Sequence, residues 1–160
     1  MTANIVIQRA HAGDAPAIAV LVGELLAEIM NTIGAQAFNF NLQETTERLA
    51  GYLANEIYFV FVARPDDGGN PIGFVALSEC HALYAEGAFG TIPELYVRPE
   101  YRTRKLGMRL VGEAKAFGAA RGWKRLEVTT PPLPQFDRTL AFYEREGFAI
   151  AGGRKLKTLL

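Results

Sequence analysis

The stretch from Leu95 to Leu110 constrains the fold more than any other part of this 160-residue chain. An apolar run ends before Pro99, a short basic loop follows, and a segment that begins near Leu106 has the pattern of a helix. Four of the eight residues in the range Arg102–Arg109 are arginine or lysine. At such a strand–loop–helix junction, unpaired backbone N–H groups and the positive end of the helix dipole meet. The junction predicts a site for a phosphate or pyrophosphate, with a solvated basic turn as the alternative.

The composition bounds the class of protein. The chain has the length of one ordinary domain and 49% of its residues are hydrophobic, so we predict a single domain over residues 1–160. Lysine plus arginine and aspartate plus glutamate both total 17, which argues against a nucleic-acid-binding protein held by its overall charge. The uninterrupted apolar runs are much shorter than the roughly 18 residues that span a bilayer. We therefore expect no nucleic-acid partner, no membrane partner and no signal peptide.

Few residues are suited to metal or disulfide chemistry. Cys80 is the only cysteine, which excludes an internal disulfide and is compatible with a reducing compartment. His11 and His81 are the only histidines, and they are far apart in the sequence. The sequence therefore predicts no metal site. Because it shows no signal peptide and no membrane-spanning run, we expect a cytoplasmic location. We interpret Cys80 as a small buried residue and His81 as a satisfied polar residue.

Apolar periodicity and turn residues predict the order of the elements. A first amphipathic helix begins near Asp14, and β-branched and aromatic residues in Ile57–Ala63 and Ile72–Cys80 predict a hairpin. The other predicted elements are strands over Asn4–Arg9, Gly90–Val97 and Arg125–Thr130, helices over Gln43–Asn55, Leu106–Arg121 and Phe136–Arg145, and one or two strands after Phe148. This order predicts an α/β (α+β) fold with a mixed sheet that has helices on its faces.

Three features together resemble the GNAT superfamily of acetyl-CoA-dependent N-acetyltransferases. The order of elements is similar to the whole fold of that family. The family's loop pattern Arg/Gln-x-x-Gly-x-Gly/Ala is similar to Arg102-x-x-Lys105-x-Gly107, with lysine in place of the first glycine. The late helix resembles Asn-x-x-Ala-x-x-Phe/Leu-Tyr-x-x-x-Gly-Phe, although Phe136 and Thr139 replace its asparagine and alanine. The resemblance implies a GNAT-like, mostly antiparallel central sheet of six or seven strands with about four helices.

The resemblance also implies where acetyl-CoA binds. The backbone of the strand residues Leu95, Tyr96 and Val97 would pair with the pantetheine arm, and the basic loop would take the pyrophosphate. The implied loop residues are Arg102, Thr103, Arg104, Lys105, Leu106, Gly107 and Met108. Close approach of a phosphate requires small residues or positive φ, which lysine adopts less easily than glycine, although its ammonium adds charge. Phe136 and Thr139 stand where the late helix contacts the cofactor arm.

The resemblance further implies an acid and a base. Tyr143 matches the tyrosine that protonates the departing thiolate, and a phenol with an unperturbed pKa of ~10 can donate at neutral pH. Glu94 is the candidate general base, because a buried carboxylate with a raised pKa suits that role. A core aromatic residue and an outward-facing charge are the alternative interpretations of these two residues. Phe38 and Phe40, between the first two helices, are interpreted as core filling or as the lining of an acceptor pocket.

The resulting hypothesis is an enzyme, an acyltransferase that moves an acetyl group from acetyl-CoA directly to a primary amine of a small molecule or peptide. The cosubstrate is acetyl-CoA, no metal takes part, and a homodimer is left open. A non-catalytic acyl-CoA-binding sensor of the same fold is the alternative. A P-loop nucleotide-binding protein is disfavoured, because the sequence has no Gly-x-x-x-x-Gly-Lys-Ser/Thr pattern. The sequence does not determine the acceptor, or whether the acyl group is acetyl or longer.

Overall fold

The computed structural model of the chain describes residues 4–160. Its contacts divide the chain into two compact units, Met1–Thr129 and Thr130–Leu160. The first unit holds a six-stranded sheet and three α-helices, and the second holds one α-helix, within the residues described. The predicted fold class, a mixed sheet of six or seven strands with about four helices, is confirmed. The single domain over residues 1–160 stays a prediction.

Most of the predicted elements are present, with shifted ends. The strands are β1 (Ile5–Arg9), β2 (Tyr58–Pro65), β3 (Gly73–Ala82), β4 (Gly87–Ile92), β5 (Leu95–Val97) and β6 (Leu126–Val128). The helices are α1 (Ala15–Ile33), α2 (Leu42–Ala54), α3 (Leu106–Arg121) and α4 (Asp137–Arg145). Short 3-10 turns lie at Ala12–Asp14, Leu83–Ala85 and Pro99–Arg104.

The sheet is mostly antiparallel. Its order is β1-β2-β3-β4-β6, and β5 continues the line of β4 by pairing with β3. Every pair is antiparallel except β4 with β6, which are parallel because α3 crosses over between β5 and β6. The crossover therefore places β6 beside β4. Because β6 does not extend past β4, it does not pair with β5.

The prediction of one strand over Gly90–Val97 is wrong, because this segment is interrupted. Ser78 faces Thr91 and Val75 faces Leu95. The three residues 92–94, at the junction of β4 and β5, therefore lie opposite only two residues of β3, 76 and 77. The extra residue is a β-bulge, and Pro93 lies in it because proline has no N–H to donate to the ladder. The bulge ends β4 at Ile92 and begins β5 at Leu95.

The prediction of one or two strands after Phe148 is also wrong. Residues 148–160 contain no strand, and the apolar side chains of Ile150, Leu156 and Leu159 are mostly exposed. A strand needs a partner to satisfy its backbone groups, and the described part of the second unit offers none. Gly152 and Gly153 further disfavour an extended ladder here.

Helices cover the two faces of the sheet. On one face, α1 and α2 bury Ile18, Leu21 and Leu49 against alternate residues of β2 and β3, namely Val60, Val62, Phe74 and Ala76. On the other face, Phe117 of α3 packs on Phe59, and Trp123 follows the helix to pack on both rings. The period of two along each strand thus separates two apolar cores.

Within residues 4–160, one helical segment is long and apolar enough to cross a membrane, by length and composition alone. This is Ala12–Ile33, with a mean hydropathy of 1.5. The core helix of a protein in water passes the same test, and α1 carries buried side chains in the sheet-facing core. The segment is therefore weak evidence for a membrane-spanning helix, and the absence of a membrane partner stays a prediction.

Candidate active site

Glu94 lies in the bulge between β4 and β5, where its side chain meets β2. Its backbone carbonyl accepts a hydrogen bond from Ala76 N–H at 2.9 Å, which keeps the bulge on the sheet. The Tyr58 hydroxyl lies 3.0 Å from Glu94 Oε1 and 3.1 Å from Oε2, so it can donate to either oxygen. Sequence reasoning missed Tyr58 as a partner, because 36 residues separate it from Glu94 and only the sheet register brings them together.

The surroundings of Glu94 favour its protonated form. Burial raises the pKa of the Glu94 carboxyl, and the hydrogen bond from Tyr58 opposes that rise only in part. Burial and the nearby Glu94 carboxylate raise the pKa of Tyr58, so the phenol stays protonated and remains a donor. Glu94 is thus a half-buried carboxyl that accepts a hydrogen bond from a neutral phenol. A carboxyl in this state can accept and release protons nearer to neutral pH than an ordinary surface glutamate.

One edge of β5 is open. The bonds Ala76 N–H to Glu94 and Arg98 N–H to Ile72 point toward β3, so the backbone groups of Leu95 and Val97 point to the opposite edge. No strand of residues 4–160 pairs with that edge, since β6 stops beside Ile92. The Val97 carbonyl accepts from Arg102 Nε at 2.8 Å. The open edge therefore offers the Leu95 N–H and C=O and the Val97 N–H to a ligand with amide groups.

The basic loop leads into α3 through a residue in a strained conformation. Lys105 has φ 57° and ψ 26°, the left-handed region that favours glycine. It caps α3 without a side-chain hydrogen bond, and the first intrahelical bond runs from Arg109 N–H to the Lys105 carbonyl at 3.1 Å. The N–H groups of Leu106, Gly107 and Met108 lie before that bond, so they have no intrahelical acceptor and point out of the N-terminal end of the helix. Positive φ thus falls at the lysine, whereas Gly107 is helical.

Arg102 and Arg98 tie this loop to α1. Arg102 Nη2 lies 2.8 Å from Glu28 Oε1, and its guanidinium lies over the Tyr96 ring at 5.5 Å. Arg98 forms two hydrogen bonds to Glu24, at 3.1 and 2.9 Å. The Arg102 side chain, which the sequence assigned to phosphate binding, is therefore engaged within the protein. The exposed Thr103, Arg104 and Lys105 remain around the helix end.

Phe38 and Phe40 line an open depression beside the end of α1. Both side chains are 38% exposed, and the depression has a volume of about 730 Å³. The Phe40 ring lies so close to Gly23 that a Cβ there would meet it at 2.7 Å. The nine residues that line the depression are Ala27, Met30, Asn31, Gly34, Ala35, Gln36, Phe38, Asn39 and Phe40. None of them is titratable, so the depression offers apolar and amide contacts but no acid or base.

The second unit contains Phe136, Thr139 and Tyr143. Phe136 caps α4, and its carbonyl accepts from the Thr139 and Leu140 N–H groups at 3.0 and 3.2 Å. Tyr143 is 5% exposed and contacts the rings of Phe142 and Phe148. Burial raises the pKa of the Tyr143 phenol, which therefore stays protonated at neutral pH. The side chain has the chemistry of a proton donor and the packing of a core aromatic residue.

Other polar side chains on the sheet have structural partners. Glu79 accepts from Trp123 Nε1 at 2.6 Å and from Arg121 Nε at 2.9 Å, and the Trp123 bond is the main cause that lowers its pKa. His81 is exposed, and its Nε2 lies 3.9 Å from the Glu79 carboxylate. Cys80 is a free, half-buried thiol rather than a fully buried one. Within residues 4–160 there is no group of three or more histidine, cysteine, aspartate or glutamate side chains placed to hold a metal.

Comparison with known proteins agrees with this geometry. A family model described as an acetyltransferase (GNAT) domain matches residues 56–150, more than half of the chain. That range includes the bulge, the basic loop and α3. No curated protein sequence matches the chain.

Several solved structures with a similar fold are acetyltransferases by name. An aminoglycoside acetyltransferase from an uncultured soil metagenomic sample has 20% identity and a TM-score of 0.75, with 98% of this chain and 96% of that chain covered. A GCN5-related N-acetyltransferase from Ralstonia eutropha JMP134 has 18% identity and a TM-score of 0.75, with 97% and 99% covered. A ribosomal-protein-alanine N-acetyltransferase from Brucella melitensis biovar Abortus 2308 has 20% identity and a TM-score of 0.72, with 98% and 100% covered. At these identities the likeness shows a shared fold.

Proposed function

The chain belongs to the GNAT family of acetyltransferases, and from this premise we propose that it transfers an acetyl group from acetyl-CoA directly to a primary amine of a small molecule or peptide. The observation that carries the proposal is a half-buried Glu94 beside the open edge of β5, followed directly by the uncapped N-terminus of α3. The family typically uses acetyl-CoA. The structural relatives bear names of enzymes that act on aminoglycosides or on a ribosomal protein, both of which offer amines.

The residues present fit coenzyme A in three respects. The free N–H groups at the start of α3 suit a pyrophosphate, and the positive φ at Lys105 turns the backbone into the helix end. Exposed Arg104 and Lys105 add positive charge, while Arg102 holds the loop in place through Val97 and Glu28. The amide groups of Leu95 and Val97 on the open edge suit the two amides of a pantetheine arm. Phe136 and Thr139 are retained as proposed contacts in the second unit.

Two titratable groups are proposed for proton transfer. The bound acetyl-CoA supplies a thioester carbonyl, which the amine attacks as the N–C bond forms and the C–S bond breaks. Glu94 takes the proton that the amine loses, with Tyr58 holding its carboxylate in one orientation. Tyr143, which stays protonated, gives a proton to the departing thiolate. A cytoplasmic location and a homodimer remain part of this proposal, without bearing on the chemistry.

Coenzyme A binding tests the proposal most directly. In Gly107→Val a β-branched side chain stands beside the free amides of α3, so we expect coenzyme A affinity to fall by at least tenfold. Gly112→Val makes the same change in the same helix where a Cβ has open space around it, and it should bind as the parent does. Isothermal titration calorimetry measures both affinities.

Equal affinities in the two variants would contradict the loop assignment. Release of the coenzyme A thiol over a panel of amines measures turnover. Binding with no turnover on any amine would favour the acyl-CoA-binding sensor over the enzyme.

A further inference from the structure

Four polar side chains form one row across the sheet. The register pairs Tyr58 with Ser78, Ser78 with Thr91, and Thr91 with Glu127. Residues directly opposite one another project from the same face, so the four side chains stand together on β2, β3, β4 and β6. Neighbouring strands are about 4.8 Å apart, which makes this polar row about 14 Å long.

The polar row lies on the same face of the sheet as the Glu94 carboxylate. Tyr58 packs against the core under α1 and α2, and its hydroxyl reaches the Glu94 oxygens at 3.0 and 3.1 Å. The Glu94 carbonyl accepts from Ala76 N–H, and Ala76 lies two residues from Ser78 on β3, so the polar row passes beside the proposed base. A molecule whose amine meets Glu94 would extend along or across these side chains.

Exposure changes sharply between the polar row and the row beside it. The neighbouring pair of residues on this face, Val60 and Ala76, is 0% and 1% exposed under the helices. Ser78, Thr91 and Glu127 are all half-buried, so part of their polar surface is open. The two helices thus cover the apolar part of this face and leave the polar part accessible.

An aromatic and cationic group borders the polar row on its other side. Cys80 faces Phe89 in the next register position, and the Arg125 guanidinium lies 6.0 Å from the Phe89 ring and 5.0 Å from the Tyr84 ring. Arg125 also pairs with Glu127, and this hydrogen bond raises the pKa of Arg125, which remains charged. The polar row is therefore bordered by apolar core on one side and by this group on the other.

The polar row offers hydrogen bonds that the protein does not exhaust. Ser78 Oγ and Thr91 Oγ1 lie 2.7 Å apart, so one hydroxyl donates to the other. The second hydroxyl keeps its own O–H, and both keep acceptor lone pairs. The Glu127 carboxylate keeps acceptor capacity beyond its bonds to Arg125. Closely spaced hydroxyls and a carboxylate match the alternating donors and acceptors of a hydroxylated molecule.

We propose that the polar row is an acceptor subsite, with Ser78 and Thr91 as specificity-determining residues that select primary amines carrying hydroxyl groups near the reacting nitrogen. The inference rests on the proposed function, because Glu94 receives the reacting amine beside the row. A site built to hydrogen-bond a hydroxyl rejects the analogue that lacks it, since its own polar groups are then left unpaired. The phenylalanine-lined depression lies outside this proposal.

Matched pairs of acceptors test the subsite. The probes are 1,3-diamino-2-propanol with 1,3-diaminopropane, 2-amino-1,3-propanediol with isopropylamine, and glucosamine with cyclohexylamine. Each amine is assayed for coenzyme A release, and its binding in the presence of coenzyme A is measured by calorimetry. The variants are Thr91→Val and Ser78→Ala, which remove one hydroxyl each from a half-exposed position. The control is Thr46→Val on α2, whose exposed hydroxyl bonds the Leu42 carbonyl.

We expect the parent to favour the hydroxylated member of at least one pair by about tenfold in kcat/KM, mostly through KM. Thr91→Val and Ser78→Ala should bring that ratio close to one, because the hydroxylated amine loses its hydrogen-bond partner, and Thr46→Val should preserve the ratio. Unchanged ratios in the two row variants would overturn the proposal, as would the absence of any preference in turnover and binding. Hydroxyl-selective binding that depends on Thr91, without turnover of any amine, would support the subsite and contradict the acetyltransferase reaction. Thermal denaturation confirms that each variant is folded.

Discussion

Glu79 and Glu94 both lie on or beside β3, and the sheet treats them in opposite ways. Glu79 faces α3, where the Trp123 indole and the Arg121 guanidinium donate to it at 2.6 and 2.9 Å. Glu94 faces the side of α1 and α2, where the neutral Tyr58 hydroxyl donates to it at 3.0 Å. The hydrogen bonds from Trp123 and Arg121 lower the pKa of Glu79, whereas burial raises the pKa of Glu94.

This difference separates a carboxylate that supports the fold from one suited to proton transfer. A carboxylate stabilised by a cation and an indole N–H stays ionised and contributes to folding stability. A carboxyl that is half-buried beside a phenol resists ionisation, costs stability at neutral pH and gains basicity once ionised. Replacing Glu94 by glutamine should therefore mainly reduce activity, whereas replacing Glu79 by glutamine should mainly reduce stability.

The largest effect is expected for Glu94→Gln. The amide cannot take the amine proton, so we expect kcat/KM to fall by about 10²–10⁴-fold at neutral pH. The loss should shrink at low pH, because the raised pKa of Glu94 leaves the parent's carboxyl protonated there and unable to take the amine proton. The pH–rate profile with acetyl-CoA and an accepted amine measures this. Glu113→Gln, an exposed change on α3, is the matched control, and a profile like the parent's would remove Glu94 from the mechanism.

The second effect is expected for Glu79→Gln and concerns stability. Glutamine keeps one acceptor oxygen but loses the charge that two donors face, and solvent screens this half-exposed pair, so the free energy of unfolding should fall by about 1 kcal/mol at pH 7. A group with a lowered folded-state pKa contributes stability above its unfolded value, and this contribution is lost as pH falls through the folded-state pKa. The parent and the variant should therefore converge in acid. Urea denaturation at several pH values measures this, and a large loss of kcat would break the comparison.

Tyr58→Phe is expected to have a smaller effect that sharpens the role of Glu94. Without the hydroxyl the Glu94 carboxylate loses its donor, so its pKa should rise further and the acid limb of the pH–rate profile should move to higher pH. We expect a roughly threefold to tenfold loss of kcat at neutral pH, which corresponds to about 1 kcal/mol. Tyr52→Phe is the control, since its ring packs 5.1 Å from the Tyr58 ring. Equal shifts in the two variants would assign Tyr58 a packing role only.

The smallest effect is expected in the stability of Glu94→Gln. A group with a raised folded-state pKa contributes stability below its unfolded value and loses it as pH rises through the folded-state pKa. Replacing Glu94 should therefore stabilise the protein at neutral pH by about 0.5–1 kcal/mol, and the gain should shrink as pH falls. Thermal unfolding across pH 4–8 measures it. A variant less stable than the parent at neutral pH would place Glu94 with Glu79 as a supporting carboxylate.

Local pattern predicted the elements that carry strong periodicity. The hairpin of β2 and β3 and the helix α3 appear close to their predicted ends, because alternation and helical spacing follow from which face each residue buries. The bulge at Pro93 and the lack of a strand in residues 148–160 were not predicted, because each depends on a partner strand. A run of apolar residues shows that a segment can form a strand but does not show what pairs with it.

The sequence by itself determined the family resemblance, the basic loop before α3 and the presence of a carboxylate just before β5. Each of these features depends on residue types, their spacing and their order along the chain, so the sequence alone is enough to define it. Only the tertiary structure brought Tyr58 to Glu94, engaged Arg102 with Glu28 and placed positive φ at Lys105. It also decided that Ser78, Thr91 and Glu127 form one row, since strand register depends on contacts between residues far apart in sequence.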